Sequence, residues 1–290
     1  MPYFSTFSIV GYSLTEEAWG IAVASKFPAV GAVVPWASAN AGAIATQSYA
    51  NTTFGPRGLA LMSEGKTAQT AIDTLLAEDD ERELRQVGMV DKEGRAATFT
   101  GKKCLSWAGG KVGKNFAAQG NILTGPETVD AMVDAFQGAS GELPDRLYAA
   151  LLAGDLAGGD RRGKQSAAIL VVKPEGGYGG FNDRWLDYRV DDHKDPIPKL
   201  GELIEMHHLY FGRSDDDERL KISGEVLENL QIIARDLGYY DGLIDGEFSE
   251  KTRVAMRAFI GNENFEDRVD FDQAIIDKPV FDFLLKKFGS

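Results

Sequence analysis

The sequence has few of the residues that form disulfides and metal sites. Its 290 residues include one cysteine, Cys104, and three histidines. A single cysteine excludes an intrachain disulfide, and these four residues do not follow the spacing of zinc ligands. We therefore predict no metal site and no cofactor, and we expect Cys104, close to Trp107, to behave as a small apolar residue.

Long apolar runs and basic charge are also scarce. No apolar segment reaches the length of about 20 residues that spans a bilayer, and the first residues lack the basic and apolar regions of a signal peptide. We therefore expect a cytoplasmic protein without a membrane span. The formal net charge of -13 argues against nucleic acid and anionic membranes as partners, because both would repel this surface. A basic or zwitterionic ligand is compatible with it.

Apolar runs and amphipathic stretches alternate in the first two thirds of the chain. Runs of small and β-branched residues, typical of buried strands, occur at 7–10, 20–25, 30–36, 43–48, 86–90, 96–99 and 167–172. Helical spacing occurs at 59–62, 68–76, 127–136 and 143–152. Residues 91–94 begin with Asp and end with Gly, which indicates a hairpin. The order of strands, two helices, strands, two helices and strands predicts an α+β fold of four layers.

The last quarter of the chain differs in charge from the rest. A helical pattern at 197–210 is followed by charged residues at 213–218, and the segment from residue 215 onward carries most of the net negative charge. A run of charge of this kind is typical of a linker. We therefore predict a first domain at 1–212, a charged linker at 213–222 and a helical domain at 223–290.

Several short words in the first region resemble one known family. In chain order they are TFSIV at 6–10, SKFPAVG at 25–31, ATQS at 45–48, GPRGL at 55–59, RQVG at 85–88, QGN at 119–121, GGDRRGKQSAA at 158–168 and RVDDH at 189–193. These words resemble the signature blocks of the bacterial domain of unknown function 1028. The resemblance implies an αββα sandwich of the N-terminal-nucleophile hydrolase kind, which often forms homo-oligomers.

The resemblance also implies a nucleophile. In that fold a Thr, Ser or Cys at the head of the first strand attacks a carbonyl, and its own α-amine is the general base. Thr6 opens the first matching word and is the candidate, with Ser8 and Ser5 as weaker ones. Five residues precede Thr6, so it can act only after cleavage behind Ser5. The alternative is a strand threonine without a catalytic role.

Lys26 is the second catalytic candidate. It follows an apolar run, where an ammonium group could lower the pKa of a nucleophile or hold a substrate carboxylate. A solvated lysine at the end of a strand is the alternative.

Further candidates for substrate binding are polar residues in apolar or glycine-rich surroundings. The segment 158–166 contains three glycines, which permit close backbone approach to a ligand, and it supplies Asp160, Arg161 and Gln165. It lacks the P-loop spacing, so nucleotide binding is not implied. Three more candidates are Thr46, Gln47 and Asn51, for which hydrogen bonding in the core or in turns is an equally good explanation. Gln119 and Asn121 are candidates for the same site as the loop residues.

The last domain resembles a second family. LQ at 230–231, LGYY at 237–240, DG at 245–246 and AF at 258–259 are similar to the repeat of a small three-helix peptidoglycan-binding-like domain. The resemblance implies an all-α domain with Tyr239, Tyr240 and Asp245 as binding candidates. Turn packing is the alternative role for these three residues.

Two functions therefore follow from the sequence. The first is an amide hydrolase of the N-terminal-nucleophile class. Its substrate is a small amide or peptide, a class to which peptidoglycan fragments belong. The second is a ligand-binding or assembly protein that retains the fold without catalysis.

Overall fold

A computed structural model describes residues 6–212 and 214–289. Residues 1–5, 213 and 290 lie outside the described residues. The nucleophile candidate Ser5 and the start of the first predicted domain are among them. So are the first residue of the predicted linker and the last residue of the final predicted domain. The chain divides into two units, Met1–Ile204 and Glu205–Ser290.

The first unit is mixed α/β. Its strands are β1 (Thr6–Ser13), β2 (Ala18–Ser25), β3 (Pro35–Ser38), β4 (Gly42–Gln47), β5 (Gln86–Asp91), β6 (Ala96–Thr100), β7 (Gly109–Gly113), β8 (Phe116–Asn121), β9 (Ser166–Val172) and β10 (Arg184–Val190). Its helices are α1 (Phe54–Ser63), α2 (Ala68–Ala77), α3 (Glu127–Gly138), α4 (Leu143–Leu156) and α5 (Pro196–Phe211), which extends past the division between the units. The predicted helices and the hairpin of β5 and β6 are confirmed. The strands β7, β8 and β10 were not predicted.

Two antiparallel sheets organise this unit. One has the order β10-β9-β2-β1-β8-β7 and the other has the order β3-β4-β5-β6. Neighbouring residues of a strand point to opposite faces, so Ile9 packs with α3 and α4 while Val10 packs with the second sheet. In the second sheet, Ile44 packs with α2 and Ala45 faces the first sheet. Each sheet therefore has helices on one face and the other sheet on its opposite face.

A glycine opens space for a polar side chain between the sheets. A Cβ atom on Gly88, in β5, would lie 2.1 Å from Oε1 of Gln119 in β8. Real side chains do not approach this closely, so any larger residue at position 88 would displace Gln119 from between the sheets.

A buried arginine holds the connection between β4 and α1. Arg85 Nε donates to Asp79 Oδ2 at 2.8 Å, and its Nη1 donates to the carbonyl of Tyr49 at 2.6 Å. Asn51 Nδ2 donates to the same Asp79 oxygen at 3.1 Å. The hydrogen bond from Arg85 is the main reason why the pKa of Asp79 falls from 3.8 to about 2.

The second unit is mostly helical. It contains α6 (Gly224–Asp236), α7 (Glu250–Asn262) and α8 (Lys278–Phe288), with the short strands β11 (Arg219–Lys221), β12 (Val269–Asp270) and β13 (Ile275–Asp277). The Ser249 hydroxyl accepts a hydrogen bond from the Thr252 amide and so caps the N-terminus of α7. Leu227, Leu230 and Phe259 belong to its core.

The prediction of an all-α domain was wrong in one respect. The strands form an antiparallel sheet of order β11-β13-β12. Strand β11 lies within the predicted linker, and its Leu220 pairs with Ile276. Strands of two or three residues are too short to show an alternating pattern, so they could not be predicted from the sequence.

Replacing Asp79 by Asn tests the arginine clamp. A carboxyl group whose folded pKa is depressed contributes stability above its ordinary pKa, and the contribution is lost as the pH falls through the folded value. We expect the substitution to cost about 2 kcal/mol at pH 7, and the difference from the parent to shrink as the pH falls from about 4 to about 2. Urea unfolding across this pH range measures both effects. Asp80→Asn, at an exposed neighbouring position, is the matched control and should show neither.

Candidate functional site

Thr6 begins the strand β1, which lies between β2 and β8. It pairs with Ser25 on one side and with Asn121 on the other. Its hydroxyl donates to Ser25 Oγ at 3.3 Å, and the residue is only 2% exposed. Its carbonyl accepts hydrogen bonds from Gln47 Nε2 at 3.3 Å and Asn121 Nδ2 at 3.5 Å. Three neighbouring strands therefore fix the position of Thr6.

A buried polar network lies between the two sheets, next to Thr6. Ser8 Oγ donates to Gln47 Oε1 at 2.6 Å and accepts from Gln119 Nε2 at 2.7 Å. Gln47 Nε2 also donates to Gln86 Oε1 at 2.9 Å. Because these side chains are at most 1% exposed, their hydrogen bonds stabilise the core. This arrangement supports the alternative of core hydrogen bonding for Gln47, and Gln119 belongs to the same network. Gln86, which the sequence analysis missed, stands in the quoted word RQVG.

Asp160 fastens the glycine-rich loop to the end of β2. The amide of Lys26 donates to Asp160 Oδ2 at 2.7 Å, and the amide of Arg162 donates to Oδ1 at 2.8 Å. Arg162 Nη2 adds an ion pair at 3.1 Å. Asp160 is 8% exposed, so its carboxylate is both buried and compensated by these donors. The structure thus gives Asp160 a positioning role in the loop, and Arg162 is a partner that the sequence analysis did not identify.

The hydrogen bonds of Lys26 and of the other predicted loop residues do not reach Thr6. Lys26 is exposed, and its Nζ donates to the carbonyl of Lys164 at 3.3 Å. Arg161 is also exposed. Gln165 Nε2 donates to Asp192 Oδ1 at 3.1 Å. Contacts therefore join Thr6 to Ser25 and Gln47, and Lys26 to Asp160, but they do not bring Arg161 or Gln165 to Thr6.

Thr46 and Asn51 belong to the connection that Arg85 holds. Thr46 is buried, and its Oγ1 donates to the carbonyl of Asn51 at 3.2 Å. The side chain of Asn51 accepts from the Thr53 hydroxyl at 2.6 Å and donates to Asp79. These contacts support the turn-forming alternative for both residues.

A cavity of about 110 Å³ lies at the end of β2 that carries Ser25. Its charged lining residues are Asp155, Asp160 and Lys164, and Lys164 Nζ donates to Asp155 Oδ2 at 2.5 Å. Ser25 and Lys164 stand inside the family-like words, which was the available signal for them. Asp155 lies in a helix outside those words. The remaining lining residues are Phe7, Ala24, Gly158, Gly163, Ser166, Pro196 and Ile197.

Three residues that follow strand ends in this region have a positive φ angle. Ile122 (φ 51°) follows Asn121 directly, Ser48 (φ 56°) follows Gln47 directly, and Ala29 (φ 51°) follows β2 after a short interval. A positive φ is unusual for such residues, above all for a β-branched one, and strain of this kind concentrates at functional sites. The strain favours a functional role for this end of the sheets.

Cys104 is a poor alternative nucleophile, and the described residues contain no metal-binding cluster. Burial raises the pKa of the Cys104 thiol, whose Sγ donates to the carbonyl of Arg85 at 3.3 Å, so a reactive thiolate is disfavoured. Within residues 6–212 and 214–289, no group of three or more His, Cys, Asp or Glu side chains could hold a metal ion. No helix in this same part of the chain has the length and apolar character needed to cross a membrane.

In the second unit, a cleft of about 280 Å³ is lined by Tyr239, Tyr240, Lys251 and Val254, among others. The Tyr240 hydroxyl donates to the carbonyl of Leu243 at 3.0 Å. Asp245 does not line this cleft. Its Oδ1 accepts from the Glu247 amide at 3.0 Å and from Gln231 Nε2 at 2.9 Å, and these bonds lower its pKa.

A larger cavity of the second unit, of about 570 Å³, was not predicted. Arg268 and Asp277 line it and form an ion pair at 2.7 Å. Arg268 Nη1 also donates to the carbonyls of His208 and Leu209, near the end of α5. Arg268 therefore has a structural role in this cavity.

Replacing Asp160 by Asn tests the fastening of the loop. An asparagine keeps the shape but places an NH₂ group against backbone donors and removes the charge that pairs with Arg162. We expect a loss of about 1–3 kcal/mol in the free energy of unfolding, the usual cost of breaking hydrogen bonds to a buried charged group. Urea unfolding measures this loss, with Arg161→Gln as the exposed control in the same loop. Equal stability of both variants would show that Asp160 does not hold the loop.

Comparisons with known proteins agree with this architecture. The crystal structure of a protein of the family DUF1028 from Silicibacter pomeroyi is similar, with a TM-score of 0.65 and 30% sequence identity. The similarity covers 73% of this chain and 88% of that one. No curated protein matches the chain.

Family models match both parts of the sequence. Residues 210–284 match a model described as "Putative peptidoglycan binding domain". Residues 6–200 match a model described as "Family of unknown function (DUF1028)". Because this second match covers more than half of the chain, and because a crystal structure of the same family shares the fold, the chain belongs to the family DUF1028.

Proposed function

We propose that the first unit is an amide hydrolase of the N-terminal-nucleophile class, in which Thr6 is the nucleophile, and that the second unit binds a cell-wall fragment. One observation carries the proposal. The Thr6 hydroxyl stands at the head of a central strand, 3.3 Å from Ser25 Oγ, and the Thr6 carbonyl is held by two amide side chains. A nucleophile fixed in this way requires little reorganisation before attack.

The layer order supports the proposed class. Two antiparallel sheets pack face to face, and helices cover their outer faces. These layers agree with the proposed αββα sandwich, in which a residue at the head of the first strand acts as nucleophile. The fold alone is compatible with several functions, so the argument depends on Thr6 and its neighbours.

The chemistry requires a free α-amine on Thr6. While Ser5 is attached, the nitrogen of Thr6 is an amide whose lone pair is delocalised into the carbonyl, and it cannot accept a proton at neutral pH. Cleavage of the Ser5–Thr6 bond produces an amine that titrates near pH 8, which suits a general base. The proposed enzyme therefore forms only when this bond is cut.

In the processed chain, the Thr6 hydroxyl oxygen attacks the substrate carbonyl carbon and the α-amine takes the hydroxyl proton. The C–N bond of the tetrahedral intermediate then breaks, and the ammonium group returns this proton to the leaving amine. Water attacks the resulting Thr6 ester with the amine again as base, which releases a carboxylic acid and restores Thr6. Ser25, as the hydrogen-bond partner of the hydroxyl, orients it for attack.

The second unit supports a cell-wall fragment as the ligand. Its match to a peptidoglycan-binding model suggests this class of ligand. Peptidoglycan stems contain amide bonds, so one fragment could be both a ligand of the second unit and a substrate of the first. The cleft beside Tyr239 and Val254 offers an aromatic and an apolar surface for such a ligand.

A non-catalytic binding protein is the second candidate function. Thr6 is 2% exposed, and the neighbouring network of Gln47, Gln86 and Gln119 is satisfied within the core. A buried Thr6 beside a satisfied hydrogen-bond network is also compatible with a protein that keeps the fold and binds a ligand without hydrolysis.

The two functions differ in a chain that begins at Thr6. Such a chain can be released from a removable N-terminal fusion and compared with the chain that retains Met1 in the hydrolysis of small amino-acid amides and muropeptides. We expect turnover only from the chain that begins at Thr6, because only this chain has the free amine. Chromatographic detection of the released amine measures the reaction.

Substitutions at Thr6 are the controls. Thr6→Ala should abolish turnover, and Thr6→Ser should retain part of it, because serine keeps the hydroxyl. Steady turnover by the chain with Met1 would remove Thr6 from the nucleophile role. Inactivity of both chains on every amide, together with binding of muropeptides, would support the second candidate.

The cleft of the second unit is tested by Val254→Glu in the full chain. Val254 is 59% exposed, so the change should leave folding intact while placing a charge in the apolar part of the cleft. We expect muropeptide binding, measured by calorimetry, to weaken by about tenfold or more. Leu237→Glu, at an exposed apolar residue outside the cleft, is the matched control. Equal affinities of the two variants would place the ligand elsewhere.

A further inference from the structure

Asp155 is a buried carboxylate with an incomplete set of partners. It stands near the end of α4, and its side chain is 6% exposed. Lys164 Nζ donates to its Oδ2 at 2.5 Å. Among the described residues, its Oδ1 accepts no hydrogen bond, and this atom is not fully buried. Asp155 lines the 110 Å³ cavity, so a ligand in that cavity would lie beside this carboxylate.

The other two charged residues of the cavity, Asp160 and Lys164, differ in how many hydrogen bonds they can still form. Asp160 is occupied by the Lys26 and Arg162 amides and by the guanidinium group of Arg162, so it has little capacity for a ligand. Lys164 has three N–H donors, and its ammonium group donates to one described side chain, Asp155. The cavity therefore presents one acceptor for a cation and one cation with free donors, side by side.

The rest of the wall limits the size of a ligand. Phe7, Pro196 and Ile197 contribute apolar surface, and the glycines contribute no side chains. A volume of about 110 Å³ has room for several water molecules, each of which takes about 30 Å³ in the liquid, and for no large side chain. A small head group with both charges matches this space.

We propose that this cavity is the specificity subsite of the site at Thr6 and that it takes a small free amino-acid head group. The ligand's α-ammonium group binds Asp155 Oδ1, and its α-carboxylate binds Lys164 Nζ. The inference depends on the proposed function only in treating the cavity as a substrate subsite, since head-group binding itself requires no cleavage at Thr6. A buried carboxylate gains from such a ligand because a second charged donor compensates its desolvation.

Glycine is the smallest probe of the subsite. Calorimetry on the full chain that retains Met1 should detect glycine binding, and N-acetylglycine, which has no ammonium group, should bind at least about tenfold more weakly. Asp155→Asn should weaken glycine binding by a similar factor. Asp134→Asn, at an exposed position of α3, should leave the affinity for glycine unchanged. Because Asp155→Asn also removes the ion pair with Lys164 and so affects stability, a second variant separates ligand binding from folding.

Lys164→Gln is that second variant, because its side chain is 41% exposed and the change should not unfold the protein. The Lys164→Gln change should weaken the binding of glycine more than the binding of glycinamide, because glycinamide has no carboxylate. Absence of glycine binding to the parent chain, or equal affinities for glycine and N-acetylglycine, would overturn the inference. Because these assays involve no turnover, amide hydrolysis without glycine binding would contradict the subsite alone. Glycine binding to a chain that begins at Thr6, without amide hydrolysis by that same chain, would contradict the proposed function alone.

Discussion

The network of amide side chains between the two sheets is the constraint on which the rest of the first unit depends. Buried amides must satisfy each other, because each unpaired donor or acceptor costs free energy in the interior. Gln47 meets this need by bonding Ser8, Gln86 and the carbonyl of Thr6, so it links strands of both sheets. The spacing of the sheets and the position of Thr6 are therefore set together.

The residues around Thr6 are held rigidly, and the 110 Å³ cavity lies at the end of the neighbouring strand β2. Asp160 ties the glycine-rich loop to the end of β2, and positive φ angles at Ser48 and Ile122 end the neighbouring strands abruptly. Such backbone strain persists only where surrounding contacts determine it. The loop in turn closes a cavity that contains the half-satisfied carboxylate of Asp155. The same contacts that stabilise the loop therefore shape the space in which a ligand can be recognised.

The second unit has its own core and its own clefts. Its helices bury Leu227, Leu230 and Phe259, and a short sheet joins residues of the charged segment to the end of the chain. Because its clefts are lined by different side chains from those around Thr6, the proposed ligand binding and the proposed hydrolysis can be measured separately. A cell-wall fragment is the ligand class that would engage both units.

Much of this architecture could be predicted from the sequence alone. Helical spacing and turn residues determined α1 to α4 and the β5–β6 hairpin, and the family-like words pointed to Thr6, Gln47 and Asp160. The edge strand β7, with three glycines in five residues, and the short strands of the second unit escaped prediction because they lack periodicity. The tertiary structure alone decided which polar residues are buried and which atoms they bond. Asp155 and Lys164 meet because a helix end and a loop converge, and no local pattern encodes that approach.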